Sequence, residues 1–274
     1  MTEREFRFGV VAGRAPTGAQ WAATARRAEE LGYDTLLVPD TVHTLEPFPA
    51  LAAAAAVTRR LRVGTYVLSA PNRSPGQVAW AVESLQLLAD GRFEFGVGGG
   101  RPGAERDAAT LGREYGTPGE RLALVAETIA AVRALAKPPP VLVAASKPRM
   151  LRLAAEQADI VALGLPPQAG EPELARTVRA VRDAAGDRVA ELELHLNVAA
   201  VAASVDAVPG WVARMVGGDP RAMAAAGGIA FLTGTAEQIA DLLRRRRAEY
   251  GISYLGVNSA FMAEFAPVIE LLRS

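Results

Sequence analysis

The chain has 274 residues, 50% of them hydrophobic, and its 30 Lys+Arg balance its 30 Asp+Glu. That length can bury the core of one large α/β domain, and the neutral balance leaves no global field to draw in nucleic acid or an anionic membrane surface. With no cysteine and only His43 and His195, disulfides, thiolate nucleophiles and Cys- or His-rich metal sites are excluded. The start, MTEREFRFGVV, lacks a basic stretch leading into a long apolar one, and no segment reaches the roughly 20 apolar residues of a membrane span. A soluble cytoplasmic protein is expected.

Taken in chain order, strand-length apolar runs alternate with segments of helical periodicity. Strand Phe6–Val11 precedes helix Thr17–Leu31; strand Thr35–Val38 precedes helix Pro47–Thr58; strand Leu61–Leu68 precedes helix Pro75–Leu88. Strand Phe93–Val97 is followed by a glycine-rich loop, Gly98–Gly116, and by helix Thr117–Leu135. Strand Val141–Ala144 with helix Pro148–Gln157, and strand Ile160–Leu163 with helix Pro172–Ala185, repeat the unit. Strand Leu192–Val201 is followed by a long excursion, Ser204–Gly228, then helix Thr235–Tyr250, strand Tyr254–Val257 and a closing helix Glu264–Leu272.

Prolines open several helices, and Gly32 and Gly251 follow two of them, which is the punctuation expected at helix starts and ends. Eight near-continuous apolar strands predict an α/β fold of the closed (β/α)8, or TIM-barrel, type. No linker or composition shift divides the chain, so one domain over 1–274 is expected. The two long loops should rise from the C-terminal face, where barrel enzymes build their sites.

Several residues at strand ends suit ligand binding. Val143–Arg149 ends a strand and opens a helix, so its free N–H groups, with Ser146, Lys147 and Arg149, can hold an anion; an ordinary turn capped by Ser146 is the alternative. Gly96–Gly100 allows close backbone approach to a ligand. Gly98, Gly100 and Gly103 fit G-x-G-x-x-G in form, but Pro102 interrupts them and no helix is expected directly afterwards, so a dinucleotide fingerprint is not expected. Pro39–His43 faces the barrel mouth, and Asn72 and Arg73 either reach a ligand or form a polar turn. Arg244–Arg247 is expected to be a solvated helix face. Trp21, Trp80 and Trp211 are expected in the core or at interfaces, with Trp211 able to line a pocket.

The segments Ala25–Asp40 and Phe48–Gly98, with their RLRVGT and GRFEFGVG runs, resemble the luciferase-like monooxygenase superfamily, as do Val141–Leu163 and Phe231–Val257. The compact length and the Gly251-Ile252-Ser253-Tyr254 run are most similar to its coenzyme F420-dependent oxidoreductases. The resemblance implies hydride transfer between the deazaflavin F420 and a small organic substrate. An FMN-dependent monooxygenase is the alternative, and so is a barrel that has lost catalysis and acts as a partner subunit.

For individual residues, the resemblance implies a phosphate cradle at Ala145, Ser146, Lys147 and Arg149. It implies close approach at Gly98 and Gly99, Asp40 beneath the coenzyme ring, and Asn72 near the coenzyme. It further implies a non-prolyl cis peptide within Tyr66-Val67-Leu68-Ser69, with Leu68 and Ser69 behind the ring. Thr41 and Gly99 stand where relatives carry proton-handling groups, which leaves His43, Asp40 and Glu105 as catalytic candidates. Relatives commonly form homodimers through barrel helices; the Ala-rich stretch Leu51–Val57 would permit such close approach, or packs on its own barrel.

Overall fold

In the computed structural model, which describes residues 4–274, the strands are β1 Arg7–Val11, β2 Thr35–Val38, β3 Arg62–Thr65, β4 Leu68–Ser69, β5 Phe93–Gly98 and β6 Val141–Ala145. They continue as β7 Ile160–Leu163, β8 Glu193–Val198, β9 Ala200–Ala202, β10 Phe231–Thr233 and β11 Ile252–Asn258. The helices are α1 Gly18–Glu30, α2 Pro47–Ala56, α3 Pro75–Leu88, α4 Ala104–Thr110, α5 Pro118–Arg133 and α6 Pro148–Gln157. After them come α7 Glu171–Ala185, α8 Ala213–Val216, α9 Pro220–Ala225, α10 Ala236–Tyr250 and α11 Met262–Arg273. The first three positions of the expected 1–274 domain lie outside the described residues.

All pairings are parallel, in the order β3-β2-β1-β11-β8-β7-β6-β5-β4, and β3 also pairs with β5. The sheet therefore closes on itself with eight staves, because β3 and β4 are two pieces of one. This is the (β/α)8 barrel that eight doubly buried apolar runs require. Local chemistry sets the helix boundaries. Thr17, Ser74, Thr117 and Thr235 cap α1, α3, α5 and α10 through their hydroxyls, the last three within capping boxes closed by Gln77, Glu120 and Gln238. Gly251, at φ 76°, terminates α10 in the left-handed conformation.

Two expected strands are interrupted. The run Leu61–Leu68 breaks at Tyr66-Val67, the one cis peptide among the described residues, and resumes as β4. The run Leu192–Val201 divides into β8, a barrel stave, and β9, which leaves the barrel to pair with β10. Sequence periodicity did not reveal β10, because three residues are too few to show a period. Nor did it reveal α4 within Gly98–Gly116, or α8 and α9 within the excursion. Because α4 opens directly after Gly103, the expectation of no helix there is corrected. Closure of the parallel barrel, rather than the lack of a helix, is what excludes a dinucleotide-binding fold.

Two apolar layers hold the barrel together. Outward-facing Phe8, Val10, Leu36, Val63, Phe93 and Phe95 pack beneath the helices, while Leu37, Leu142, Ile160, Ala162 and Tyr254 fill the barrel interior. Trp21 is in the core, its indole N–H donating to Ala50 O at 2.8 Å, whereas Trp80 is 75% exposed and belongs to no core. Arg246 departs from the expected solvated face: it is 5% exposed and pairs with Glu171 at 2.8 Å. Among the described residues, no helix is long and apolar enough to cross a membrane.

Candidate active site

In the barrel order, β2, β3 with β4, β5 and β6 are contiguous, so the loops after them form one arc of the C-terminal rim. That arc holds nearly every residue expected to bind a coenzyme. At its centre, the buried Asp40 carboxylate accepts hydrogen bonds from Ser69 N at 3.0 Å, Asn72 Nδ2 at 3.1 Å and Arg73 Nη1 at 2.6 Å. Arg73 also pairs with Glu46 at 2.6 Å. Burial works against the guanidinium charge, but Asp40 and Glu46 outweigh it and raise the Arg73 pKa. Asp40 is thus the post that holds the β4 turn in place, and its side chain is 6% exposed.

Two atoms in this turn point to a ligand. Ser69 Oγ and Asn72 Oδ1 are buried without a hydrogen-bond partner, on residues that are each 6% exposed. An unpaired buried polar atom costs on the order of 1–3 kcal/mol, so a rim that keeps two of them suits a polar planar group that would satisfy them. Leu68, 1% exposed, lies behind them in the core.

Further along the arc, Gly98 and Gly99 leave room that a side chain would fill. A Cβ on Gly98 would lie 3.0 Å from Val67, and one on Gly99 would lie 3.2 Å from Met150. Ala145 is buried at the end of β6, while Ser146, Lys147 and Arg149 are exposed at the start of α6. Lys147, rather than Ser146, is the N-cap residue, and no side chain caps this helix. The first-turn N–H groups of α6 therefore stay open beside two cations, the arrangement that attracts a phosphate. Arg121 adds a cation that sequence reasoning missed: its Cβ stands 3.8 Å from the space over Gly99, and its guanidinium lies over the Tyr115 ring at 4.2 Å. Its place in the opening turn of α5, well beyond Gly99 in sequence, gave no local signal.

The acid and base candidates divide. His43 is exposed at the edge of the arc, in a hollow it shares with Gly13, Arg14, Thr44 and Leu45. Glu105 is exposed on α4, whereas its neighbour Asp107 is 4% exposed and pairs with Arg101 at 2.7 Å. Of the two acids, Asp107 is the one turned into the structure.

Inside the barrel, polar residues unforeseen in the sequence run along the axis. Tyr66 OH lies 3.4 Å from His195 Nδ1, the His195 ring meets Tyr254 edge-on at 4.7 Å, and Tyr254 OH donates to Glu94 at 3.3 Å. Glu94 in turn pairs with Arg7 and with Arg62, the latter at 2.6 Å, and Arg7 reaches Glu193 at 2.5 Å. Burial, followed by the positive field of Arg7, pushes the His195 pKa down to about 3, so the ring is neutral. Burial also raises the Tyr66 and Tyr254 hydroxyls above their ordinary value. The signal was present in the run Glu193-Leu-His195-Leu-Asn197, whose period of two puts polar side chains on the inward face of β8. Among the described residues, no group of three or more His, Asp or Glu could hold a metal ion.

A closed barrel whose rim combines a polar turn after its third stave with an open, cationic helix start after its fifth is a TIM barrel with its polar and cationic groups gathered on one arc of the C-terminal mouth. The family model for luciferase-like monooxygenases matches residues 6–209, and the chain belongs to that family. Over 117 residues it is 38% identical to the F420-dependent glucose-6-phosphate dehydrogenase of Beutenbergia cavernae, an alignment covering 39% of this chain and 34% of that protein. The chain spans between 34% and 52% of the length of the curated relatives it matches first. Its fold is similar to an F420-dependent secondary alcohol dehydrogenase solved with an F420-acetone adduct, at a TM-score of 0.75 and 18% identity over 99% of this chain and all of that one. It is equally similar to a riboflavin lyase solved with modified FMN and riboflavin, at a TM-score of 0.76 and 16% identity, covering 98% of this chain and 92% of that one.

Proposed function

We propose that the chain is a cytoplasmic, single-domain oxidoreductase that uses coenzyme F420 to move a hydride to or from a small organic substrate. The observation that carries this reading is the rim turn held by Asp40, with two buried unpaired oxygens facing the same arc as the open start of α6. In this assignment Ser69 and Asn72 receive the polar edge of the ring system, with Leu68 behind them. Gly98 and Gly99 admit its body, and Ser146, Lys147 and Arg149 with the α6 N–H groups hold its phosphate. When bound, the deazaflavin supplies a hydride-carrying carbon, and the protein supplies orientation and exclusion of water. His43, exposed at the end of the arc, is assigned the proton that accompanies the hydride, with Glu105 on the loop after β5 as the second candidate.

FMN is the second reading, since the same rim suits a flavin phosphate and one of the similar folds carries modified FMN. Titration with F420 and with FMN, followed by fluorescence, separates the two. Tighter F420 binding is expected, and micromolar FMN binding without detectable F420 binding overturns the assignment.

We further propose a homodimer, supported by the exposed face of α3. Trp80, Leu87 and Leu88 are 75%, 79% and 64% exposed at helical spacing on that face. The Ala-rich helix α2 is spent on its own barrel, with Ala50, Leu51, Ala54 and Ala55 buried.

A further inference from the structure

The inward face of β8 carries Glu193, His195 and Asn197 in succession. Glu193 and His195 are 6% and 0% exposed, as the inner face of a packed barrel requires, but Asn197 is exposed. One residue from the C-terminal end of β8, a side chain that points into the barrel yet meets solvent stands at the open mouth. The surrounding layer explains the opening: Gly98 and Gly256 carry no side chain, Ala144 carries little, and Val11 and Val67 remain partly exposed. Gly256, paired with Asn197 across β8 and β11, has no room for more. A Cβ there would lie 2.6 Å from His195 Nε2 and 3.4 Å from Asn197 Oδ1. Among the described residues, the Asn197 amide makes no side-chain hydrogen bond, so its donor and acceptor are both available.

The strand order fixes which wall this is. From β4, passing through β5, β6 and β7, β8 is the fourth stave along, half of the way around the ring. Asn197 therefore faces the Asp40-held turn from the opposite side of the mouth. The two walls differ in charge. Asp40, Glu46, Arg73, Lys147 and Arg149 all belong to the arc assigned to the coenzyme. Beside Asn197 the hollow is lined by Leu165, Pro166, Pro167, Ile229 and Ala230, with no charged group. An anionic group would lose water there without meeting a cation, whereas a neutral oxygen could pair with the amide.

We propose that Asn197 anchors the substrate, and that the substrate is an uncharged, largely apolar molecule presenting a carbonyl or hydroxyl oxygen to it. The side of the mouth left to the substrate rests on the coenzyme assignment above. The Asn197 N–H donates to a carbonyl oxygen, or its Oδ1 accepts from an alcohol, so one side chain serves substrate and product of an alcohol–carbonyl pair.

The test is ligand-observed NMR with cyclohexanone, cyclohexanol and glucose 6-phosphate as probes. The protein is loaded with F420, or with FMN if only that binds, or used as it stands if neither does. Wild type is expected to bind both six-membered rings and not the phosphate. Asn197→Leu should weaken both rings about tenfold, the loss of roughly one hydrogen bond. Asn197→Asp keeps the acceptor and loses the donor, so it should weaken cyclohexanone while retaining cyclohexanol, a split that a purely structural role would not produce. Wild-type affinity in Asn197→Leu, preference for glucose 6-phosphate, or no binding of either ring by wild type overturns the proposal. Coenzyme fluorescence in the same samples keeps the two readings apart. Failure of F420 to bind while the Asn197 effects persist removes the coenzyme assignment alone, and intact F420 binding without those effects removes the anchor alone.

Discussion

The two ends of the barrel are built on opposite rules. Toward the N-terminal ends of the strands, Arg7, Arg62, Glu94 and Glu193 meet as paired charges, and Tyr254 donates to the same cluster. These charges are spent on one another. At the C-terminal end small residues line the interior, two oxygens go unpaired, and Asn197, Lys147 and Arg149 stand open. The difference separates tasks along one axis: the lower end closes the barrel and carries stability, and the upper end keeps donors and cations free for ligands. Substitutions below should therefore move stability and leave binding alone, and substitutions above should do the reverse.

The largest expected effect is at Glu94, which is 2% exposed and the shared partner of two arginines. Glu94→Ala leaves Arg62 without its carboxylate, Arg7 with Glu193 alone, and the Tyr254 hydroxyl without its Glu94 acceptor. Breaking a buried pair costs about 3–5 kcal/mol, and because Arg7 and Arg62 keep 27% and 31% exposure the lower figure is expected. Urea denaturation measures it; an unchanged midpoint would break the comparison at its lower end.

His195 gives a smaller effect tied to pH. Its folded pKa of about 3 lies below the ordinary 6.5, so at acid pH the unfolded chain binds a proton that the folded chain refuses. Stability from this group is full above about 6.5, falls as pH drops through the window, and levels off near 3. At pH 4.5 the loss relative to pH 7 is on the order of 2–3 kcal/mol. Tyr66, Tyr254, Arg7, Glu94 and Glu193 face the same interior. The quantity to measure is therefore the difference in pH slope between wild type and His195→Gln, and equal slopes would place the imidazole in water.

The smallest effect sharpens the upper end. Lys147→Ala and Arg149→Ala should each weaken coenzyme binding by about 1–3 kcal/mol, the worth of a charge-assisted hydrogen bond, while unfolding shifts by less than about 0.5 kcal/mol. A change in stability with unaltered affinity would make them props of α6.

Much of the barrel was legible because burial on both faces writes each stave as a run of Val, Leu, Ile and Phe. The strands Thr35–Val38 and Ile160–Leu163 and the helices Pro75–Leu88 and Pro148–Gln157 have the expected limits. Elements too short to show a period were not legible, β10 and α4 among them. The rim arc was readable from strand ends, but the bonds within it were not. Asp40 and Arg73 lie 33 positions apart, and only closure of the barrel brings them to 2.6 Å. Asn197 escaped notice because its neighbours Leu194 and Leu196 read as ordinary core, and the polar residues alternating with them carry meaning only once the inside of the barrel is known.

The short ribbon of β9 and β10 has a consequence for how such a barrel changes over time. Ala199 N donates to Ala230 O at 2.7 Å and Gly234 N to Ala202 O at 3.0 Å, so the ends of the excursion 203–230 are clipped together just off the barrel wall. Whatever lies between the clips adds nothing to the stave pairing. The segment is a cassette: it can lengthen, shorten or be exchanged while the register of the eight staves stays fixed. Within it, Trp211 stacks on Phe261 at 5.4 Å and Met215 accepts from Asn258 Nδ2 at 3.2 Å, which ties the cassette to the loop after β11 at the mouth. Descendants of this chain can thus retune what enters the barrel by rewriting just under thirty residues, without renegotiating the stave pairing beneath the rim.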